Sequence, residues 1–527
     1  MLKTSGDAMP VKIMIANRGE IAIRIAKTLL ENGYMPVGIY TKSDSNSLHR
    51  RFLVEDREVS SYLNISEIVE AAVDMGAEAI HPGYGFLSEN PEFAREVLKN
   101  GLIFIGPPPN IMAMAGDKIV SKIFAERLEV PTLPWIEAKD FDEVLEFAKI
   151  HGYPLIIKAA GGGGGRGVRI VYNEKELKKS LEVARKEAEI AFADPRLFVE
   201  PYIPISKHIE VQILGDGDNI VHLFERECSI QRRFQKIIEE APSPSLFDNE
   251  RNKLYNYAVE MAERLRYRNA GTIEFVFDLR RREFYFMEIN TRIQVEHPVT
   301  EMITGIDIVK KQVEIALYGV LDIKQGSILR HGHSIEVRIY SENPITGEPS
   351  KGKITFYHEP SGPGIRVDSG VCDGSTISGE YDPMIAKLIV WSPDRWKALE
   401  RLRNALAEFR IEGVSTNIPL LRQIISTEEF VNATYTTRFF DEKRELFVNK
   451  LLNEALIHSL TAVALVEFGE KGVKNYLGKY PLLHRIRSSE RIDMAKRHAW
   501  YYYNVVKDLA DRISRRSSKR FGKNTGQ

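Results

Sequence analysis

Apolar positions in the first third of the chain switch between two periods. "VKIMIA" (11–16), "MPVGIYT" (35–41) and "AEAIHPG" (77–83) are short apolar runs suited to buried strands. Between them, "NRGEIAIRIAKTLLENG" (17–33) and "ISEIVEAAVDMG" (65–76) repeat apolar residues at helical spacing. Strands alternating with helices predict βαβ units, hence a parallel sheet covered by helices. A further helix from about Ala113 and the Pro-bearing "VPTLPW" close this region, which puts a first, Rossmann-like domain at 1–132.

The pattern then changes. "PLIIKAAGGGGGRGVRIV" (154–171) sets five consecutive glycines between two apolar runs, a hairpin rather than a linker. Glycines there let several N–H groups turn inward and a ligand approach the backbone, the geometry of a phosphate nest. No Gly-Lys-Ser/Thr follows, so the tract is not a P-loop. With the charged helix "EKELKKSLEVARKEAEIAF" (174–192) it forms a small unit, 133–203, sized for a hinged lid. From "HIEVQIL" (208–214) to 450 the signals are strands, hairpins and a few helices, which predicts a mixed or antiparallel sheet. Residues 451–527 read as helical and then basic.

Within 271–297, "GTIEFVFD" and "EFYFMEIN" flank a polar turn and predict a β-hairpin. With the turn centred on Arg281, Glu274 and Glu288 face each other, their Cβ atoms about 4.5–5.5 Å apart. Two carboxylates so placed repel unless a cation lies between them. Asn290 adds a third hard oxygen on the same face, a donor set suited to Mg²⁺. Beyond it, an extended chain presents Arg292, Gln294 and Glu296 to one side. Upstream, "QRRFQK" gathers Gln231, Arg232, Arg233 and Lys236. That run, like Lys118 of "GDK" and Lys158, reads as ordinary surface when taken singly.

Charge and cysteine usage narrow the class. Lys+Arg and Asp+Glu both total 73, so net charge draws the chain to neither nucleic acid nor membrane. Cys228 and Cys372 lie far apart without a C-x-x-C, which fits a reducing compartment and two inert thiols. With no 18-residue apolar run and no signal-peptide order at the start, a soluble cytoplasmic protein is expected.

"ANRGEIAIR", "HPGYGFLSEN", "GDK", "KAAGGGGGRG", "QRRFQKIIEEAP" and "FMEINTRIQVEHPVTE" stand in the order seen in biotin carboxylase, and the chain resembles that ATP-grasp family from about residue 10 to 450. The resemblance implies an α/β, ATP-grasp fold: a parallel-sheet N-terminal domain, a lid, and a mixed or antiparallel C-terminal region. It implies that ATP is held by Lys118, Lys158, Glu200, Ile203, His208 and Gln231, with Gly162, Gly163, Gly164, Gly165, Arg166 and Gly167 closing over the phosphates. Glu274, Glu288 and Asn290 correspond to ligands for Mg²⁺ or Mn²⁺, two ions in all. Lys236, Arg292, Gln294 and the Val295 backbone correspond to the bicarbonate pocket, Glu296 to the base, and Arg338 to the arginine that steadies the biotin enolate.

The implied reaction is ADP-forming. Bicarbonate and ATP give carboxyphosphate, which carboxylates biotin. Two positions depart from the family. Phe234 stands where relatives often have His and is expected to pack, and Pro201 replaces a frequent lysine at the lid hinge and has no N–H to offer. No A-M-K-M acceptor occurs, and "DMAKRH" (493–498) lies in a helical, charged setting. The expectation is therefore the biotin carboxylase component of an acetyl-CoA, propionyl-CoA or pyruvate carboxylase. It would form a homodimer and work with a separate biotin carboxyl carrier protein and carboxyltransferase. The rivals are another ATP-grasp ligase and a non-catalytic nucleotide-binding subunit.

Overall fold

The computed structural model describes residues 10–162 and 167–457. Expectations for Gly163, Gly164, Gly165, Arg166 and for 458–527 lie outside the described residues.

The period switching at the start produces a five-stranded sheet, β1 (Lys12–Ile15), β2 (Met35–Tyr40), β3 (Glu55–Glu58), β4 (Ala79–His81) and β5 (Ile103–Phe104), in the order β3-β2-β1-β4-β5. All its pairings are parallel. Helices Gly19–Glu31, Ile65–Asp74 and Pro91–Lys99 make the crossovers, the last two begun by Asn64 and Asn90 side chains that accept backbone N–H bonds. Strand β3 has the sequence EDRE and no apolar signal, because it is an edge strand with one paired side and wet faces. The single helix expected near Ala113 is two, Pro109–Gly116 and Lys118–Arg127. Asp117 separates them and caps the second through Ile119 and Val120 N–H, which sets Lys118 at a helix start.

Strands β6 (Ile136–Glu137), β7 (Leu155–Ala159), β8 (Arg169–Val171) and β9 (Leu197–Pro201) form a separate antiparallel sheet. The glycine tract joins β7 to β8, as the flanking runs predict. Helices Phe141–His151 and Glu174–Phe192 bury Val144, Phe147, Leu177, Leu181 and Ala184 against Leu155, Ile157 and Val199.

The main sheet contains β10 (Ser206–Asp216), β11 (Ile220–Arg232), β12 (Gln235–Ala241), β13 (Arg268–Asp278), β14 (Glu283–Asn290) and β15 (His333–Tyr340). After the short β16 (Gly352–Lys353) and β17 (Phe356–His358) come β18 (Ile365–Ser369), β19 (Thr376–Ile377), β20 (Met384–Ser392) and β21 (Arg410–Glu412). Eight of these run β14-β13-β10-β11-β12-β15-β20-β18, and every neighbouring pair is antiparallel. One end packs Ile209, Val211, Phe275 and Phe286 under helix Asp248–Arg264, and the other packs Val337, Leu388 and Val390 under helix Arg395–Glu408. Ile13, Ile25 and Leu29 share a third core with Leu214, Val221 and Val313, which fixes the parallel sheet against the main one.

The β13–β14 tip pairs Asp278 with Glu283, so the turn is centred just before Arg281 rather than on it. A bulge at Met287, between the pairs Phe275–Phe286 and Glu274–Glu288, restores the expected juxtaposition of the two glutamates.

Strand β13 approaches Tyr267 closely at Gly271, where an added Cβ would collide with the Tyr267 hydroxyl oxygen. Tyr267 is buried and its hydroxyl donates to the Ala270 carbonyl. Gly271→Ala is expected to lower stability by about 1–3 kcal/mol, as overpacking does. A denaturant midpoint equal to wild type would show that Tyr267 can move aside.

Candidate active site

Strand β10 exposes its chemistry by simple alternation. Ile209, Val211 and Ile213 enter the core, while His208, Glu210 and Gln212 take the other face. Register then aligns carboxylates across three strands: Glu210 faces Glu274, and Glu274 faces Glu288. All three would repel in a dry site.

Cations answer this row. Lys236 Nζ lies 2.5 Å from Glu210, 2.9 Å from Glu274 and 2.7 Å from Glu296. Arg226 Nε donates to Glu210 at 2.5 Å, His208 Nε2 stands 3.0 Å from Glu274, and Lys118 Nζ stands 2.8 Å from Glu288. Asn290 Nδ2 donates to Glu274 at 2.9 Å. Gln231 Nε2 lies 3.2 Å from His208 Nδ1 and donates to the Cys228 carbonyl. Glu296 is fully buried and is bonded from the other side by Arg338 Nη2 at 2.9 Å, while Arg338 Nε donates to Glu239 at 2.6 Å.

Burial opposes every charge here, and the partners decide the outcome. It works against the His208 imidazolium, but Glu274 outweighs it and raises the group to about 9. Burial also acts to raise Glu296, yet Lys236 and Arg338 hold it below the usual carboxylate range. At Glu288 burial acts upward too, and Lys118 overcomes it and brings the group to about 2. Burial prevails at Glu239, which rises to about 7 despite Arg338. The Cys228 thiol, 3.9 Å from Glu296, is pushed well upward by burial and stays protonated.

Several expected residues meet only indirectly. Arg292 Nε donates to Glu89 at 2.9 Å and its Nη1 to Gln294 Oε1 at 2.9 Å. Residues 291–296 form an irregular loop rather than an extended strand, and Glu296 directly precedes helix His297–Thr304. Turning of this loop, not strand alternation, gives Arg292, Gln294 and Glu296 their places. On the lid, Glu200 has both oxygens occupied, one by Lys158 and one by Lys122 at 2.8 Å. Its carboxylate is therefore committed to these two lysines. Ile203 lies between β9 and β10, its carbonyl accepting from the Ser206 hydroxyl. Lys118 Nζ also reaches the Gly162 carbonyl, which ties the start of the glycine tract to the carboxylate row, and Gly167 resumes beyond it with a left-handed φ of 71°.

Phe234 corrects an expectation. It does not pack but is 40% exposed, at the tip of the β11–β12 hairpin with φ of 63°. Reasoning from sequence also passes over Glu89, Glu210, Arg226 and Glu239. The polar alternation His208, Glu210, Gln212 inside an otherwise apolar strand is the available signal for Glu210.

Three family models match consecutive parts of the chain: the biotin carboxylase N-terminal domain over 9–112, the carbamoyl-phosphate synthase L chain ATP-binding domain over 117–324, and the biotin carboxylase C-terminal domain over 336–442. The chain belongs to the biotin carboxylase family. A pyruvate carboxylase subunit of Methanothermobacter thermautotrophicus is 46% identical over 82% of this chain and 90% of its own length. Biotin carboxylase 2 of Bacillus subtilis is 45% identical over 82% of this chain and 100% of its own. The biotin carboxylase domain dimer of Hydrogenobacter thermophilus 2-oxoglutarate carboxylase, solved with MgADP, ADP and bicarbonate, superposes with a TM-score of 0.81 at 46% identity, covering 84% of this chain and 99% of that one. The family is one of ATP-grasp ligases, and the ATP-binding match shared with carbamoyl-phosphate synthase is flanked on both sides by domains specific to biotin carboxylase. Among the described residues no helix is long and apolar enough to cross a membrane.

The raised His208 pKa has a measurable consequence. Relative to an unfolded imidazole near 6.5, its stabilisation is fully present below about pH 6.5 and is lost as pH rises through about 9. The stability difference between wild type and His208→Gln should therefore shrink between about pH 6 and about pH 10. A pH-independent difference in denaturant unfolding would place a neutral imidazole beside Glu274.

Proposed function

We propose that the chain carboxylates biotin carried on a separate protein, using ATP and bicarbonate and passing through carboxyphosphate, with release of ADP. The observation that carries this reading is Glu296: a fully buried carboxylate held between Lys236 and Arg338, beside a row of carboxylates that Lys118 joins to the start of the glycine tract. Bicarbonate is a weak nucleophile, and a positioned base must take its proton as it attacks the γ-phosphorus.

In the resting site Glu296 is a poor base because two cations stabilise its charge. An entering bicarbonate competes for Lys236 and, with Arg292, Gln294 and the Val295 N–H, draws positive charge towards itself. Loss of a cation raises the proton affinity of the carboxylate it leaves. Substrate entry thereby turns Glu296 into an effective base, and the bicarbonate proton moves to its oxygen as the new O–P bond forms and the bond to ADP breaks. Arg338, released from Glu296 once that carboxyl is neutral, is then free to steady negative charge on the biotin ureido oxygen.

Glu274 and Glu288 face each other where lysine ammonium groups gather, and Asn290 reaches Glu274 through its amide Nδ2, which supports reading the three as a donor set for a hard cation. They would hold Mg²⁺ or Mn²⁺, whose chemistry there is to neutralise phosphate charge. Lys118, Lys158, His208, Gln231, the backbone at Glu200 and Ile203, and the Gly162–Gly167 tract serve the nucleotide. Segments 1–132, 133–203 and 204–450 act as the N-terminal domain, the lid and the sheet region. The chain works in the cytoplasm as a dimer, alongside carrier and carboxyltransferase partners. The dimeric Hydrogenobacter structure and relatives named as carboxylase subunits support that arrangement.

The test is bicarbonate-dependent ATP cleavage stimulated by free biotin. Cleavage indifferent to biotin would instead indicate another ATP-grasp ligase. Glu296→Gln should reduce turnover by about 10²–10⁴-fold, the usual cost of a lost general base, with ATP affinity close to wild type. Turnover within a few-fold of wild type would remove Glu296 from the role. Glu288→Gln should raise the Mg²⁺ concentration needed for half-maximal rate, and an unchanged magnesium titration would place Glu288 outside the metal site.

A further inference from the structure

Lys387 is fully buried in the middle of β20, yet it takes no part in the mechanism above. Its closest hydrogen bond is not to a carboxylate. Nζ donates to the Val295 carbonyl at 2.8 Å, within the loop that carries Gln294 and Glu296. Register sets Lys387 directly opposite Arg338 on one side and Asp368 on the other.

The groups facing it come from three elements, and none is a close hydrogen-bonded partner of Nζ. Asp368 stands 3.8 Å away, but Arg366 already holds that carboxylate with a two-pronged fork at 2.9 and 2.7 Å. Glu20, from helix Gly19–Glu31, stands 3.4 Å away and accepts the Tyr84 hydroxyl. Glu336 is buried with neither oxygen hydrogen-bonded. Burial pushes both Glu20 and Glu336 upward. Burial also works against the Lys387 charge, but Glu20 and Glu336 together hold it above the usual ammonium value. A cation is thus fixed behind one peptide of the loop, in a region with little water to screen it.

The loop is tethered at the preceding peptide as well. The Gln294 carbonyl receives the His297 N–H at 3.3 Å and faces His297 Nδ1 at 2.8 Å. In a trans peptide the N–H points opposite to the C=O. Holding the Gln294 carbonyl against His297 therefore directs the Val295 N–H the other way, and holding the Val295 carbonyl against Lys387 fixes the peptide that leads into Glu296.

We propose that Lys387 is a positioning residue for the anion pocket: by clamping the Val295 carbonyl it sets the direction of the loop's donors and of Glu296, and it adds a buried positive charge behind the bicarbonate site. The role rests on the function proposed above. It also brings the N-terminal domain into the site, since Glu20 belongs to the first helix of the parallel-sheet domain and Lys387 to the main sheet.

The experiment compares Lys387→Met, Lys387→Gln and Glu20→Gln in bicarbonate-dependent ATP cleavage with free biotin, reading KM for bicarbonate and for ATP separately. Lys387→Met should raise the bicarbonate KM about tenfold or more, as loss of a charged hydrogen-bond donor does, and leave the ATP KM within about twofold. Lys387→Gln keeps a donor without the charge and should recover part of the loss. Glu20→Gln removes an anion from beside Lys387 and should leave the bicarbonate KM unchanged or lower it. A merely structural lysine predicts the reverse, with Glu20→Gln impairing both substrates together. If Lys387→Met fails to fold, Lys387→Gln against Glu20→Gln decides by the opposite directions of their effects. Wild-type turnover with an unaltered bicarbonate KM in the Lys387 variants overturns this role alone, whereas wild type without bicarbonate-dependent turnover overturns the proposed function and this role with it.

Discussion

Strand register brings Glu210, Glu274 and Glu288 into one row, and the rest of the site is arranged to balance its charge. The alternative for buried carboxylates is to take up protons, which would cost the site its capacity to gather cations. Lys236 alone meets three carboxylates within 2.9 Å, counting Glu296. Arg226 adds a second cation to Glu210 from the neighbouring strand, His208 stands beside Glu274 from the strand paired with it, and Lys118 answers Glu288 from a helix start. Such an arrangement is weak evidence for stability, because desolvation consumes much of the Coulombic gain. It agrees with the proposed function, in which substrate charge or a metal would take over positions the ammonium groups hold.

Each element of the fold delivers one part of that balance. The Asp117 cap places Lys118 at the start of its helix, and Lys118 reaches both Glu288 and the Gly162 carbonyl. One side chain therefore links the β13–β14 hairpin to the start of the glycine tract. Glu89, at the end of the first domain's "HPGYGFLSEN" segment, holds Arg292 and accepts the Thr291 N–H. The N-terminal domain thus supports the loop that carries Arg292 and Glu296 without contributing a strand to it. The shared core of Ile13, Ile25 and Leu29 with Leu214 and Val221 gives these long-range contacts a rigid base.

Much of this is legible in the chain. Alternating periods disclose the βαβ series, and the flanks of the glycine tract disclose the lid hairpin. The Glu274–Glu288 pairing follows from counting back from the turn, although a bulge at Met287 is needed to make the count hold. What escapes is of two kinds. Strand β3 is written in charged residues because only its pairing, not its burial, makes it a strand. Glu239, Glu20 and Lys387 escape because each belongs to the site only through partners on distant segments, and local pattern carries no information about such contacts. Arg292 and Glu296 do belong together, but for a different geometric reason, since a turning loop rather than an extended strand presents them.

The β11–β12 hairpin shows how a local rule can be broken to fix a distant group. Its two-residue turn, Arg233 and Phe234, has φ values of 55° and 63°, conformations that Asn and Gly adopt far more easily. Left-handed backbone at residues with a Cβ costs roughly 1–2 kcal/mol each. The turn is nevertheless the one whose twist matches the strands it joins. It sets Arg232 opposite Gln235 and Gln231 opposite Lys236. Arg232 then pins the hairpin through its fork to Glu342, with the first contact at 2.8 Å. A looser or longer turn would slip the register by one residue and carry the Lys236 side chain to the opposite face of the sheet. The strain in the turn is thus tied to the position of a single ammonium group, and through that group to the contacts it makes with Glu210, Glu274 and Glu296.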